Sequence, residues 1–406
     1  MAKQILSLAM TLTGLAGAFV PSDAPAADGR APAAAEAPAG DAPERAEIDK
    51  LVRELGAPTF MTRQHAQRVL VSYGEKAKAA LEAARNDPDS EIQRRAESAL
   101  AAIGDIAFHV RLSDFLADKT PDNDHGLGGW NRFRALAGPD LAPAARRLFA
   151  DMHWAERELL EVVDRRPAQA GPLLDARCRQ VESDHQNGNA DRNTPLSLGS
   201  MAAVLFAASN PDVPVSATAA NCICNLGNHT TLGAVLAARP SGPIFQRLLA
   251  AWVARPFERE SVVSYRNLLL AMQFGLKDAV PVALALIQPP GGQPNLEQYA
   301  ILAIGKLGNA EHVSALSPLL HDERPIGVPD RNGHESDTQV RDVALATMIH
   351  LAGQPLADFG FSHAKRNSSI LFNTNTLGFN NAAARDEAQK KWQAWSKEHL
   401  RQAPAP

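Results

Sequence analysis

The stretch QVRDVALATMIHLAG, Gln339 to Gly353, carries the spacing that most constrains what this chain can fold into. Val340, Ala344, Met348 and Leu351 are separated by four, four and three positions, and at about 100° per residue they share one narrow helical stripe. The same frame recurs at Ile92, Ala96, Leu100 and Ile103 before Gly104, at Val215, Ala219, Ile223 and Leu226 before Gly227, and at Leu296, Ala300, Ile304 and Leu307 before Gly308. Thr62, Ala66, Leu70 and Tyr73 before Gly74 make a looser copy. Alanine in second place predicts a neighbouring helix at close approach, and glycine after the last apolar residue predicts a helix end that turns left-handed. A seam repeated along the chain predicts an all-α fold, an α-solenoid of helix pairs in which each pair covers the seam of the one before.

With 406 residues the chain exceeds what one compact core organises, which favours a multi-part arrangement. A formal net charge of -4 provides no basic excess to attract nucleic acid or an acidic membrane surface, so neither is expected as a partner. Three cysteines, Cys178, Cys222 and Cys224, do not make a disulfide framework. The last two lie about 200° apart on a helix and face away from each other, so all three are expected as small buried apolar residues.

Residues 1–27 have the pattern of an export signal: Lys3, an apolar run from Ile5 to Val20, and small residues at Ala16 and Ala18 or Ala24 and Ala26 that suit cleavage. Such a chain is expected in the periplasm or outside the cell, with no membrane span once the signal is removed. Residues 28–46 form an Ala/Pro-rich linker in which Pro32, Pro38 and Pro43 oppose a continuous helix. The folded array is expected to begin near Glu47 and to run to Leu400, with a subdivision near 105–138 and a short tail at 401–406. Within it, Thr59 and Asp89 are placed to cap helices, the former before residue 60 and the latter after Pro88. Periodicity lapses from Asp105, passes through the polar, Gly-rich TPDNDHGLGG at 120–129, and resumes at Trp130, Phe133, Leu136 and Ala137. In the helical stretch Leu141 to Val163, Arg146, Arg147, Glu156, Arg157 and Glu158 are assigned to a wet face. ERPIGVPDRNGHESDT is an insertion after HVSALSPLLHD, and Ala382 to Leu400, with Trp392 and Trp395 on one face, is expected to cap the last open seam.

EKAKAALEAARNDPDSEIQRRAESALAAIG resembles a HEAT-like repeat, with its Asp-containing turn and a V-R-x-x-A-type start to the second helix. Ile92 and Gln93 replace the Val and Arg there, whereas VRDVA at 340–344 matches fully. LGGWNRFRALAGPDLAPAARRLFADM, TQVRDVALATMIHLAGQPLADFGF and the R-x-x-A-x-x-x-W-x-x-W ending at Trp395 look like exported HEAT-repeat proteins of planctomycete bacteria. The resemblance covers most of residues 47–400 and implies an armadillo-type fold; it brings no catalytic residues with it. HEAT-like repeats also occur in phycobilin lyases, with which this chain shares only the repeat frame.

Motifs that carry chemistry are scarce. There is no H-E-x-x-H, G-x-S-x-G, Walker loop, EF-hand loop or paired C-x-x-C, and Asn131 breaks any G-x-G-x-x-G in the 120–129 loop. The densest polar cluster lies in the insertion and its flanks, where His321, Asp322, His334 and Glu335 combine imidazole nitrogen and carboxylate oxygen suited to a divalent ion. The plainer reading has Asp322 ending one helix, Ser336 or Asp337 capping the next, and the rest solvated. Cys222 with His229 is a poor nucleophile pair, because Cys222 falls between seam residues Ala219 and Ile223. No cofactor or metal is therefore expected. The sequence reads as an exported, non-enzymatic scaffold that binds protein partners. Competing readings are a metal-dependent hydrolase or lyase-like enzyme built on the loops at 120–132 and 321–337, and a structural protein of the cell envelope.

Overall fold

In a computed structural model the chain forms seventeen α-helices and one short hairpin among the described residues, which are 42–186, 197–226, 230–238, 240–257, 261–288, 291–326 and 338–399. The fold is all-α, as the seam requires. None of the described helices is long and apolar enough to cross a membrane. The chain divides into two compact units at Gly104.

The first unit holds α1 (Ala42–Glu54), α2 (Phe60–Tyr73), α3 (Glu75–Ala84) and the opening turns of α4 (Ser90–Ala117). Helix α1 starts at Ala42, inside the expected linker, because Pro43 in a first turn sacrifices no helical hydrogen bond and its fixed φ suits the start. Thr59 Oγ1 accepts from Thr62 N at 3.3 Å, and Asp89 Oδ1 accepts from Glu91 N at 2.8 Å, so both expected caps are present. Ile48, Leu51, Leu55, Leu70, Leu81 and Ile103 make one small core around Ala66 and Ala96, which are fully buried. Each large apolar side chain buried in this way contributes roughly 1.5–3 kcal/mol before entropy is counted.

From Asp105, α4 continues without a break through Gly104 to Ala117, contrary to the helix end expected there. A glycine inside a helix costs only about 1 kcal/mol, and the downstream turns bury Phe108, Leu112 and Phe115. There follow α5 (Trp130–Ala137), α6 (Ala142–Arg165), α7 (Gly171–Gln186), α8 (Leu198–Ala208), α9 (Ala217–Leu226), α10 (Thr230–Ala237) and α11 (Ser241–Val253). The remainder comprises α12 (Val262–Phe274), α13 (Val280–Leu286), α14 (Pro294–Leu307), α15 (Val313–Leu316), α16 (Val340–Leu351), the hairpin β1 (Arg366–Asn367) with β2 (Leu371–Phe372), and α17 (Ala382–His399). Helices pack in two interleaved sets: α7 on α9, α9 on α12, α12 on α14 and α14 on α16 in one, α6 on α8 and α8 on α11 in the other. Helices α7 and α8, α8 and α9, and α11 and α12 join the sets, and α13 packs on α14.

The seam alanines confirm the helical phase, since Ala219, Ala300 and Ala344 are at most 1% exposed. Helix ends are less uniform. Gly74 and Gly353 have the left-handed φ expected of them, at 58° and 70°, whereas Gly308 ends α14 in extended backbone with φ -83°, and Gly227 lies outside the described residues. Helix α8 is buried from Gly199 to Ala208. A Cβ on Gly199 would stand 2.2 Å from Asp151 O, so only glycine lets α8 lie this close to α6.

Arginines satisfy helix-end carbonyls throughout the second unit. Arg146, assigned by sequence to a wet face, is only 8% exposed: its Nη1 donates to Phe115 O at 2.6 Å, its Nη2 to Thr120 O at 2.6 Å, and its guanidinium lies over the rings of Phe115 and Trp130. Arg132 donates to Phe206 O at 3.1 Å, and Arg255 donates to Ala208 O, Asn210 O and Val213 O at 2.7–2.8 Å. Arg247 donates to Ala137 O at the end of α5. Burial lowers the pKa values of Arg132, to about 10, of Arg146 and of Arg255, and at neutral pH all three keep their charge.

Helix α17 covers α16 through a buried ion pair, Arg385 Nε to Asp342 Oδ1 at 2.8 Å and Nη2 to Oδ2 at 3.1 Å, with the two side chains 5% and 1% exposed. Burial raises the pKa of Asp342 against the opposing pull of Arg385. Trp392 is buried edge-on against Phe359 and stacks on Trp395, which places the two tryptophans on one face as expected.

Candidate functional site

The insertion is anchored at its base. Ile326 N donates to Thr338 O at 2.8 Å, Val340 N to Arg324 O at 3.0 Å and Arg341 N to Asp322 O at 2.9 Å, so 322–326 and 338–341 run side by side as a stem. Residues 327–337 lie outside the described residues, and with them His334, Glu335, Ser336 and Asp337. Helix α16 starts instead from Gln339, whose N–H donates to Asp342 Oδ2 at 2.9 Å.

Of the candidate metal ligands, His321 is exposed at the end of a short 3-10 turn, and Asp322 belongs to an ion network. Arg324 Nε donates to Asp322 Oδ1 at 2.9 Å, Arg324 Nη2 donates to Glu297 Oε2 at 2.7 Å, and Arg324 Nη1 donates to Gly292 O. Glu297, in the first turn of α14, is 3% exposed. Burial works to raise the Asp322 pKa, but the Arg324 hydrogen bonds outweigh it and hold the carboxyl below its ordinary value. Asp322 raises the Arg324 pKa in return. Both carboxylates are thus spent on a guanidinium rather than directed at a cation. No group of three or more His, Cys, Asp or Glu side chains among the described residues is placed to hold a metal.

A narrow cleft adjoins this network, lined by Ser261, Ser264, Tyr265, Gln293, Leu296 and Glu297. Its free space of about 20 Å3 has room for an ordered water and is far below the roughly 300 Å3 of a small-molecule pocket. Tyr265 and Tyr299 pack edge to face with centroids 4.1 Å apart; burial, then the hydrogen bond with Tyr299, pushes the Tyr265 phenol well above its usual pKa. The cleft is a water-sized gap in the packing between α12 and α14.

Other potential nucleophiles are engaged in the same way. Cys224 Sγ donates to Asn267 Oδ1 at 3.2 Å beside Trp252 Nε1, and burial raises its thiol to about 12. Cys178 and Cys222 are buried, as expected, and His229 lies outside the described residues. Ser200 donates to Glu156 and accepts from Arg177 Nη2 at 3.0 Å. Glu156 is therefore not a solvated side chain: it sits where α6 leaves helical geometry, at φ -137° and ψ 47°, and its carboxylate joins α6 to α7 and α8. Nothing in the sequence marks this pair, because the two residues meet across 44 positions.

A different kind of site is exposed on α4 and α6. Trp154 is 64% exposed, and its indole stacks on His109 with centroids 4.8 Å apart and planes 20° from parallel. Ile106 and Val110, one helical turn apart on α4, are 53% and 55% exposed. A large aromatic ring fixed by a neighbour and flanked by exposed aliphatic side chains is the arrangement that dominates binding energy at protein interfaces. Sequence periodicity misses it, because a tryptophan in an amphipathic helix is ordinarily assigned to the core.

Comparison with known proteins finds no family model that matches the chain and no curated protein that resembles it in sequence.

Proposed function

We propose that the chain is a non-enzymatic scaffold, an α-solenoid of HEAT-like helix pairs that is exported and binds a protein partner. The observation that carries this reading is the exposed Trp154–His109 stack with Ile106 and Val110 beside it. Burying that indole against a partner would release apolar surface from water with little further ordering, since one face is already packed. The stacking of α7, α9, α12, α14 and α16 in one set supports the solenoid part of the reading, as helices in such arrays contact their counterparts in the next repeat.

The test is a pull-down from cell-envelope extract with the purified chain as bait. A stoichiometric protein partner kept by the wild type and lost by Trp154→Ala supports the scaffold; stoichiometric metal with hydrolytic activity in the purified chain overturns it. Amino-terminal sequencing of the native protein tests export, with the mature chain expected to begin between Phe19 and Asp28. An intact Met1 or Ala2 in a cytosolic fraction would remove export from the proposal.

A further inference from the structure

A hollow of about 460 Å3 opens on the second unit, between the segment after Phe361 and the segment before α17. Ser362, His363, Lys365, Asn375, Thr376 and Asn380 contribute its polar lining. The volume lies within the range of small-molecule sites, roughly 300–1,000 Å3, and more than twenty times that of the cleft beside Glu297.

Three features distinguish it from an accidental surface dip. First, its two walls are fastened to each other: Lys365 N donates to Thr376 Oγ1 at 2.9 Å, Thr376 Oγ1 donates to Asn373 O at 2.7 Å, and Asn373 N donates to Lys365 O at 2.9 Å. Second, buried residues alternate with the lining and anchor it from beneath. Phe361 and Phe379 pack with ring centroids 4.8 Å apart, and Leu377 is fully buried. Third, the charge is of one sign. From Phe359 to Arg385 the sequence contains no Asp or Glu, although the whole chain has more acids than bases. Among the described residues, Ser362, His363, Lys365 and Asn380 commit no side-chain polar atom to a protein partner. A primary ammonium, an imidazole, a hydroxyl and an amide therefore converge on one prearranged hollow with no carboxylate to neutralise them.

We propose that this hollow binds a small molecule bearing a tetrahedral oxyanion, a phosphate or a sulfate. Lys365 supplies the compensating charge, and the hydroxyl and amide donors around it hydrogen-bond the oxyanion and the hydroxyls of whatever carries it. This site is independent of the Trp154 surface and of the scaffold reading.

Isothermal titration of the full purified chain with glucose 6-phosphate, glucose, inorganic phosphate and sulfate tests it. The expected result is saturable binding of the oxyanions, weakened at least about tenfold by Lys365→Glu and less by Lys365→Gln. Neither variant should shift the melting temperature, since the Lys365 side chain is exposed and makes no ion pair. Tighter binding of glucose 6-phosphate than of free phosphate assigns a phosphorylated metabolite, and equal affinity assigns the inorganic ion; either supports the site. Glucose binding as tightly as its phosphate, affinity unchanged in Lys365→Glu, or no saturable binding of any oxyanion up to about 10 mM overturns it.

Discussion

The arginines of the two units differ in what they reach for at a distance, side chains in the first and backbone carbonyls in the second. Before Gly104 their distant partners are side chains: Arg63 pairs with Glu91 at 3.1 Å and Arg95 bonds Gln67 Oε1 at 2.9 Å, each across 28 positions, beside the local bonds of Arg94 and Arg95 to Glu91 and of Arg63 to Ala57 O and Pro58 O. After it, Arg146 reaches across 31 positions, Arg132 across 74 and Arg247 across 110, in each case to a backbone carbonyl. The first unit is thus a short seam with a charged cluster around Glu91, in which Arg95 is buried and the exposed pairs contribute little. The second is a seam plus a set of buried or half-buried cations that fix helix ends against other helices. Removing an exposed cation such as Arg94 from the first unit should be nearly silent, and removing a buried one from the second costly.

The largest effect is expected at the buried pair. Arg385→Ala leaves Asp342 buried without its partner and should destabilise the second unit by about 3–5 kcal/mol, while Arg385→Leu combined with Asp342→Leu recovers most of the loss. Amide hydrogen exchange read separately for peptides on either side of Gly104 checks this. Comparable deprotection of both sides would break the division between the units.

The next effect depends on pH. His153 is 1% exposed, donates through Nε2 to Gly128 O at 3.1 Å, and has its pKa lowered by burial to about 4. Because the unfolded chain takes up the proton first, stability is full above about pH 6.5 and falls by up to roughly 3 kcal/mol as pH drops to 4. Denaturant titrations of His153→Gln across that range should show this slope gone, whatever the variant's stability at pH 7.

Smaller, and equal in the two units, is the response of the seam. Ala96→Leu in the first and Ala344→Leu in the second should each overpack a fully buried position and cost about 1–3 kcal/mol by thermal melting. An unchanged melting temperature for either would mean that the seam yields there.

The smallest effect belongs to Glu91, whose carboxyl is held at about 2 by hydrogen bonds from Arg94 and then Arg95. Its contribution is present above about pH 4.5 and is lost as pH falls towards 2. Because the group is only half-buried and solvent screens it, Glu91→Gln should only slightly flatten the acid limb of the first unit's melting curve.

These contrasts explain what could be read from the sequence. The seam alanines, Thr59 and Asp89 were legible because a helix face and its cap are local, set by spacing of three or four residues. Arg146 was misassigned because the same local rule places an arginine beside Arg147 in water, while the carbonyls that bury it belong to the end of α4 and the segment that follows it. Gly104 was misread for a related reason: a glycine ends a helix only when the next turn has nothing to bury, and here Phe108, Leu112 and Phe115 follow. At the insertion, Asp322 was noticed for its chemistry, but Arg324, two residues on, decides its role. The Trp154 surface and the oxyanion hollow were not legible, since each depends on segments brought together by the tertiary fold.

The stem at the base of the insertion has a consequence for how the chain tolerates change. With 322–326 tied to 338–341, the two ends of the described chain at this point are held beside each other. Lengthening a flexible connection between fixed ends costs little, about 0.6 kcal/mol of closure entropy for each doubling. The stem therefore works as an expansion port: a peptide, an epitope or a small folded domain grafted between Ile326 and Thr338 would be displayed on a supported base.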